Sequence, residues 1–291
     1  MKRFGLFFLF SFLITLPVVA QETDEDFIEE SPSVWKANFR RVALEMSSTQ
    51  VSNAEQYQDS PSSKLSADSQ TVFKGVFDFS LENERPDGQW NNSLFMEYGK
   101  TKLKEADGTK TTNENADKIL LSTDYARKMW RYEDADVGPF VNLGYQTEFT
   151  ANNDSPRTQI IRGKGGIKLF NGVYIKELYA AIVEELDLTY SKSDTKTAYE
   201  IGLRSEYPLR EGVKFQLDAY FRDYVLYSRY VGTDFKYELD ITGRMDVKIT
   251  DTLSLAPYIN YYQAQDRQTP VKGSNFMIGV ALSFSNLFDL N

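Results

Sequence analysis

The sequence predicts an all-β protein: a transmembrane, antiparallel, up-and-down β-barrel of about 12 strands. Three observations carry this. Apolar and polar residues alternate with period two over stretches of ten or more residues. That is long for the ~5–6 residues of a soluble strand and matches the ~9–11 residues that cross a bilayer as a tilted strand. The polar face of nearly every stretch carries charges of both signs, as an enclosed interior does when the apolar face meets lipid. The connections also alternate, mostly short and turn-like after even strands and mostly longer and polar after odd ones.

Composition agrees with this class. Hydrophobic residues make up 41% of the chain and mean hydropathy is −0.45, as expected where each strand averages out. Aromatics at 14% suit interfacial belts. After the N-terminus no stretch approaches ~20 apolar residues, so helical spanning is excluded. The net charge of −9 argues against nucleic acid as a partner. Without cysteine or histidine, disulfides, thiolate sites and imidazole ligation are excluded.

Residues 1–20 read as a secretory signal peptide. Lys2 and Arg3 precede an apolar run from Phe4 to Pro17, and Val18, Val19 and Ala20 supply small residues before a cut at Gln21. An anchoring helix is the other reading, against which the run is short. Residues 21–33 form an acidic tail, read as solvated and disordered on the periplasmic side, or else as a docking arm or plug. Residues 34–291 form the barrel.

The first strand (34–48) points Trp35, Ala37 and Phe39 outward, then slips phase across Arg40 and Arg41 to Val42, Leu44 and Met46. One extra residue of this kind is a β-bulge. A polar loop follows over 49–70. The second strand (71–82) shows Phe73, Phe77, Phe79 and Leu81. A Pro86-Asp87-Gly88 turn leads to the third (89–102), with Trp90, Leu94, Met96 and Tyr98. Residues 103–116 read as a loop. The fourth strand (117–128) shows Ile119, Leu121, Thr123 and Tyr125. The fifth (137–150) shows Val141, Leu143, Tyr145 and Phe149, and the sixth (158–169) Ile161, Ile167 and Leu169. Phe170, Asn171 and Gly172 form a turn.

The seventh stretch (173–190) is irregular. Leu178, Ala180, Ile182, Leu186 and Leu188 share a face, but Tyr179 and Val183 oppose them, and an amphipathic helix over 176–188 is the alternative. The eighth strand (195–207) shows Tyr199, Ile201 and Leu203. The ninth (213–222) alternates Val213, Phe215, Leu217, Ala219 and Phe221 against polar residues, and 223–232 reads as a tyrosine-rich loop. The tenth (233–249) turns Phe235, Tyr237, Leu239, Ile241, Met245, Val247 and Ile249 outward and Lys236, Glu238, Asp240, Arg244, Asp246 and Lys248 inward. The eleventh (253–263) and a loop over 264–274 lead to the last, where Phe276, Ile278, Val280, Leu282 and Phe284 face Met277, Gly279, Ala281 and Ser283. The last strand is expected to pair with the first. Its small inner residues leave room, so any passage is expected beside Gly279 and Ala281.

Two resemblances follow from these residues. Gly279, Leu282 and Phe284 resemble the C-terminal assembly signal of bacterial outer-membrane barrels, which implies insertion by the barrel-assembly machinery. Met277 departs from that signal's usual polar residue. Trp35, the segment QWNNSLFMEYGK (89–100) and the segment DKILLSTDY (117–125) resemble a group of little-characterised outer-membrane barrels. Some of these carry the label salt-induced outer membrane protein, others only a domain-of-unknown-function label. The resemblance covers most of the chain, implies twelve strands, and implies no activity.

The candidate lumen-lining residues are Lys74, Asp78, Glu97, Asp124, Arg162, Lys164, Lys168, Glu185, Asp187, Glu200, Arg204, Asp218, Arg222, Glu238, Asp240, Arg244 and Asp246. A selective filter favours a ring of one sign. Balanced charges instead point to ion pairs across a narrow lumen. The leading expectation is a narrow passive pore for small solutes or ions. A non-conducting structural or surface-interaction barrel, acting through loops 49–70 and 103–116, is the competing class. Enzymes of barrel type that need histidine are excluded by its absence. Paired carboxylates among Asp124, Glu185 and Asp187 leave a lipid-modifying enzyme as a third, weaker reading. No cofactor and no metal site are expected: Glu133 to Asp136 and Asn152 to Asp154 read as solvated turns. Arg162 to Gly166 lacks phosphate-loop spacing. Tyr220, Tyr224, Tyr227 and Tyr230 suit a sugar-stacking surface or an interface belt. The partners expected are outer-membrane lipid and lipopolysaccharide.

Overall fold

In the computed structural model, the described residues are 33–57, 60, 62–66, 71–104, 110–150, 156–229 and 234–290. The segment expected as a signal peptide and the expected acidic tail up to residue 32 therefore lie outside them, as do 151–155, Tyr230 and most of the stretch 58–70.

The strands are β1 (Val34–Ser52), β2 (Thr71–Glu84), β3 (Gly88–Lys104), β4 (Lys110–Arg127), β5 (Trp130–Tyr132), β6 (Ala135–Thr147), β7 (Ile160–Phe170), β8 (Ile175–Asp187), β9 (Asp194–Arg210), β10 (Val213–Tyr227), β11 (Phe235–Lys248), β12 (Leu253–Asp266) and β13 (Gly273–Leu290). Each pairs antiparallel with its neighbour, β4 pairs with β6, and β13 returns to β1. The sheet is a closed antiparallel barrel of twelve strands. β5 stands outside the ring as a three-residue arm on β6. No described helix is long and apolar enough to cross a membrane, which says nothing of strands.

Alternation sorts the side chains. Leu44, Phe73, Leu121, Val141, Leu143, Ile167, Ile182, Ile201, Ile259 and Ile278 stand exposed on the outer face. Their strand neighbours Glu45, Lys168, Glu185, Glu200, Arg222 and Arg244 are buried on the inner one. An apolar outside around an ionic inside is the outer-membrane arrangement. The barrel has a short-turn end (85–87, 171–174, 211–212 and 249–252) and a long-loop end. At the turn Glu211–Gly212, Gly212 has φ +71, which a side chain would strain.

The β1 slip is a bulge. Phe39 pairs with Asn286 and Val42 with Phe284, three steps against two, and β2 opposes Phe39 and Arg41 with Phe79 and Asp78. Within 173–190, Ile175–Asp187 form strand β8, with Val183 and Tyr179 inward, so the helical alternative is excluded.

Several expectations are corrected. Most of 103–116 is strand: β3 runs to Lys104 and β4 starts at Lys110, because Leu103 pairs with Thr111 across a polar hairpin that has no apolar periodicity to mark it. The tyrosine-rich segment is strand to Tyr227, and Tyr224 is buried inside. Phe235 points inward and Lys236 outward. β11 advances from Phe235 to Tyr237 while β12 moves from Asp266 to Gln265, a bulge that flips the phase. Phe170 belongs to β7 and is buried, not part of the turn. The expected space beside Gly279 and Ala281 is filled: a Cβ on Gly279 would lie 2.5 Å from the Tyr258 ring. Ala281 packs with Ala43, Val76, Ala256 and Tyr258 in one apolar layer.

Candidate functional site

The interior is built from cross-strand pairs. Inward residues directly opposite one another on neighbouring strands lie close enough to pair, and here they are of opposite sign. Arg222 of β10 stands opposite Glu200 of β9 and Glu238 of β11. Its Nη2 lies 2.5 Å from Glu200 Oε2, and its Nη1 lies 3.1 Å from Glu185 and 3.2 Å from Glu238. Arg162 Nε reaches Glu185 at 2.7 Å, and Lys164 pairs with Glu200. Tyrosine hydroxyls complete the shell. Tyr179 donates to Glu200 at 2.6 Å and Tyr262 to Glu238 at 3.1 Å. Three cations and three carboxylates thus form one hub towards the long-loop end.

The other candidates form smaller pairs. Lys168 lies 2.6 Å from Asp124 and 3.2 Å from Glu177. Lys74 bridges Glu97 at 3.0 Å and Glu45 at 3.4 Å. Asp78 holds Arg40 at 2.6 Å, Arg204 holds Asp218 at 2.8 Å, and Arg244 holds Asp246 at 2.7 Å. Asp240 takes Lys64 at 2.5 Å and Asn260 at 2.6 Å. Asp187 differs: it accepts the Thr189 backbone N–H at 2.9 Å at its strand end, and forms no ion pair among the described residues. The carboxylates considered for catalysis, Asp124, Glu185 and Asp187, are each engaged by a different partner. Among the described residues no group of three or more acidic side chains is placed to hold a metal ion.

Burial is uneven within the interior. The Arg222 hub is closed, with Glu200 side chain 1% exposed. Towards the short-turn end Arg204 and Asp218 are 42% and 47% exposed, although both lie on the inner face. Water therefore reaches that pair, whereas Lys168 and Arg244 near the same end are buried.

The long-loop end is covered by the first loop. After β1 the chain makes a 3₁₀ turn (Ala54–Tyr57) and one helical turn, α1 (Ser63–Ser66). Tyr57 and Leu65 are buried with Val183, Ala198, Tyr224, Phe235, Tyr262 and Ala264. The Tyr57 hydroxyl donates to Val271 O at 2.8 Å, Asn275 Nδ2 donates to Lys64 O at 2.8 Å, and Lys64 spans to Asp240. Burial raises the Tyr57 hydroxyl above its usual range. Beside it, Asp266 is pushed up to about 6 by burial, with Asp234 adding to the effect. Asp266 lies beyond the apolar belt of β12, where the outward positions Gln263 and Gln265 have turned polar, and its Oδ1 has no hydrogen-bond partner.

Sequence reasoning missed Arg40, Arg41, Glu45, Glu177 and the first-loop residues. Glu45 was readable, because Leu44 and Met46 flank it outward. Lys64 and Tyr57 carry no periodic signal, since a folded-in loop has none.

A family model described as a protein of unknown function (DUF3078) matches residues 64–152. A search of curated proteins finds no match. Among solved structures, the chain is similar to the outer membrane channel DcaP of Acinetobacter baumannii, at 6% identity and TM-score 0.44 over 88% of this chain and 98% of that one. It is similar to the NanC porin at 15% identity and TM-score 0.41, over 82% and 98%. The translocator domain of autotransporter NalP from Neisseria meningitidis gives 8% and 0.37, over 88% and 90%. At these scores none of them transfers an activity to this chain.

Proposed function

We propose that this chain is a narrow outer-membrane pore for small solutes or ions, shut at its outer mouth by its first loop. Short turns face the periplasm and long loops the outside in barrels of this kind. The half-exposed Arg204–Asp218 pair supports the reading, because it needs water inside a closed wall. Tyr57 and Leu65, seated in the opposite mouth, supply the closure. The chain reaches the outer membrane behind a cleaved signal peptide, inserts through the barrel-assembly machinery, and meets lipid and lipopolysaccharide. Asp124 and Glu185 serve as ion-pair partners and Asp187 as a backbone acceptor, and no catalytic step is assigned to them.

Planar-bilayer recording tests the pore. Wild-type protein is expected to conduct weakly or in rare openings, and Tyr57→Ala with Leu65→Ala to raise open probability several-fold. Because the interior pairs carry both signs, the reversal potential in a salt gradient should stay near zero. The Arg222 hub favours the competing reading, a non-conducting barrel braced by its own charges and acting through its outer loops. Silence from both proteins at every voltage and salt concentration would establish that reading in place of the pore.

A further inference from the structure

The arm β5 is the one described strand that does not contribute to the ring. Its cause is local. A Cβ on Gly138 would lie 1.7 Å from Arg127 O, so only glycine lets the chain cross β6 that closely. The Met129 N–H then bonds to Val137 O at 3.0 Å, Trp130 pairs with Val137, and Tyr132 with Ala135. Glu133, at φ 51, turns the chain back into β6. The arm stands on the outer face near the short-turn end and walls a crevice.

The crevice is apolar. Its floor is Leu169, Leu178 and Ala180 on β7 and β8, with Ile201 on β9 beyond, and Trp130 and Tyr132 overhang it. Ala180 sits between Ile167 and Ile201 in register, the smallest side chain of the floor between two larger ones. These residues continue the lipid-facing belt, but elsewhere that belt is a convex wall. Arg131 lines the same crevice and forms no ion pair among the described residues. Asp136, opposite it in the pairing, is engaged by Lys128 at 3.6 Å and by Asn171 at 3.1 Å. A cation without an ion-pair partner among the described residues, beside an apolar crevice, complements a phosphodiester on a hydrocarbon chain.

We propose that this crevice seats one glycerophospholipid of the periplasmic leaflet, with an acyl chain under Trp130 and the phosphate against Arg131. The site rests on the outer-membrane placement and is independent of conduction.

Native mass spectrometry of the refolded barrel, incubated in detergent with phosphatidylethanolamine and, separately, with lipopolysaccharide, tests it. Wild-type protein is expected to keep one phospholipid at energies that strip detergent. Arg131→Gln should reduce that retained fraction several-fold, and Ala180→Trp, which fills the floor, should abolish it. Equal retention in all three proteins, no retention by wild type, or retention of lipopolysaccharide instead overturns the proposal. Heat-modifiable gel migration, run on each protein, separates this outcome from failure of the barrel itself: an unshifted wild type would sink the membrane reading first.

Discussion

Two arginines on neighbouring strands illustrate what the interior charges contribute. Arg222 is closed off among Glu185, Glu200 and Glu238, whereas Arg204 meets Asp218 in reach of water. Removing one member of a buried network strands the others, at a cost of about 3–5 kcal/mol. An exposed pair contributes about 0–1 kcal/mol. Arg222→Met should therefore lower the urea midpoint of the refolded barrel far more than Arg204→Met. Equal shifts would mean that the hub is hydrated in solution. Asp266 gives a second test at this scale. Its folded pKa lies near 6, above the ~3.9 of an unfolded aspartate. The folded state then binds the extra proton, so the contribution of Asp266 to stability is greatest below about 4 and is lost as pH rises through 6. Between pH 7 and pH 5 wild type should gain about 1–2 kcal/mol that Asp266→Asn does not, read from urea titrations at each pH. Parallel pH profiles of the two proteins would remove Asp266 from the mouth's energetics.

At the scale of single strands, the glycines divide by what they face. A Cβ on Gly202 would lie 2.3 Å from the Tyr179 ring, and one on Gly279 2.5 Å from Tyr258. One on Gly163, on the outer face, meets nothing within 4 Å. Gly202→Val and Gly279→Val should each destabilise by about 1–3 kcal/mol through overpacking. Gly163→Val should be neutral or better in refolding yield. A barrel that tolerates all three equally would show that those tyrosine rings swing away. The same contrast explains what was legible. Period-two alternation placed Arg222, Glu200 and Glu238 on one face because each strand keeps phase there. It misplaced Phe235 because a bulge shifts the phase without changing composition. It read the small residues of β13 as empty space because Tyr258, which fills that space, belongs to a different strand. The hairpin that extends β3 and β4 carries no apolar alternation to read, since its sequence from Lys100 to Glu114 is almost wholly polar.

For the whole molecule, closure depends on β13, which pairs with both β1 and β12. Deleting residues 273–290 leaves two long unpaired edges, which lipid does not tolerate. Such a chain should show no heat-modifiable band after refolding, while loss of Tyr57 should leave the band intact. A persistent band in the truncated chain would require β1 to close on β12 directly. Ring closure and strand count were legible from the sequence, because they follow from alternation and from loop lengths repeated around the chain. The plugged mouth was not, because Tyr57 and Leu65 act through tertiary contacts made more than a hundred residues away.

The bulge at Arg40 and Arg41 makes the seam a keyed joint. Below it Phe39 meets Asn286, and above it Val42 meets Phe284, so the two halves of β1 engage β13 in registers one residue apart. A zipper that starts one notch off cannot satisfy both halves. It would turn Glu45 or Lys36 towards hydrocarbon, where a charge at mid-depth costs about 2–4 kcal/mol for a basic residue. Misthreaded closures are thus penalised, and the seam favours one alignment of the two end strands over its neighbours.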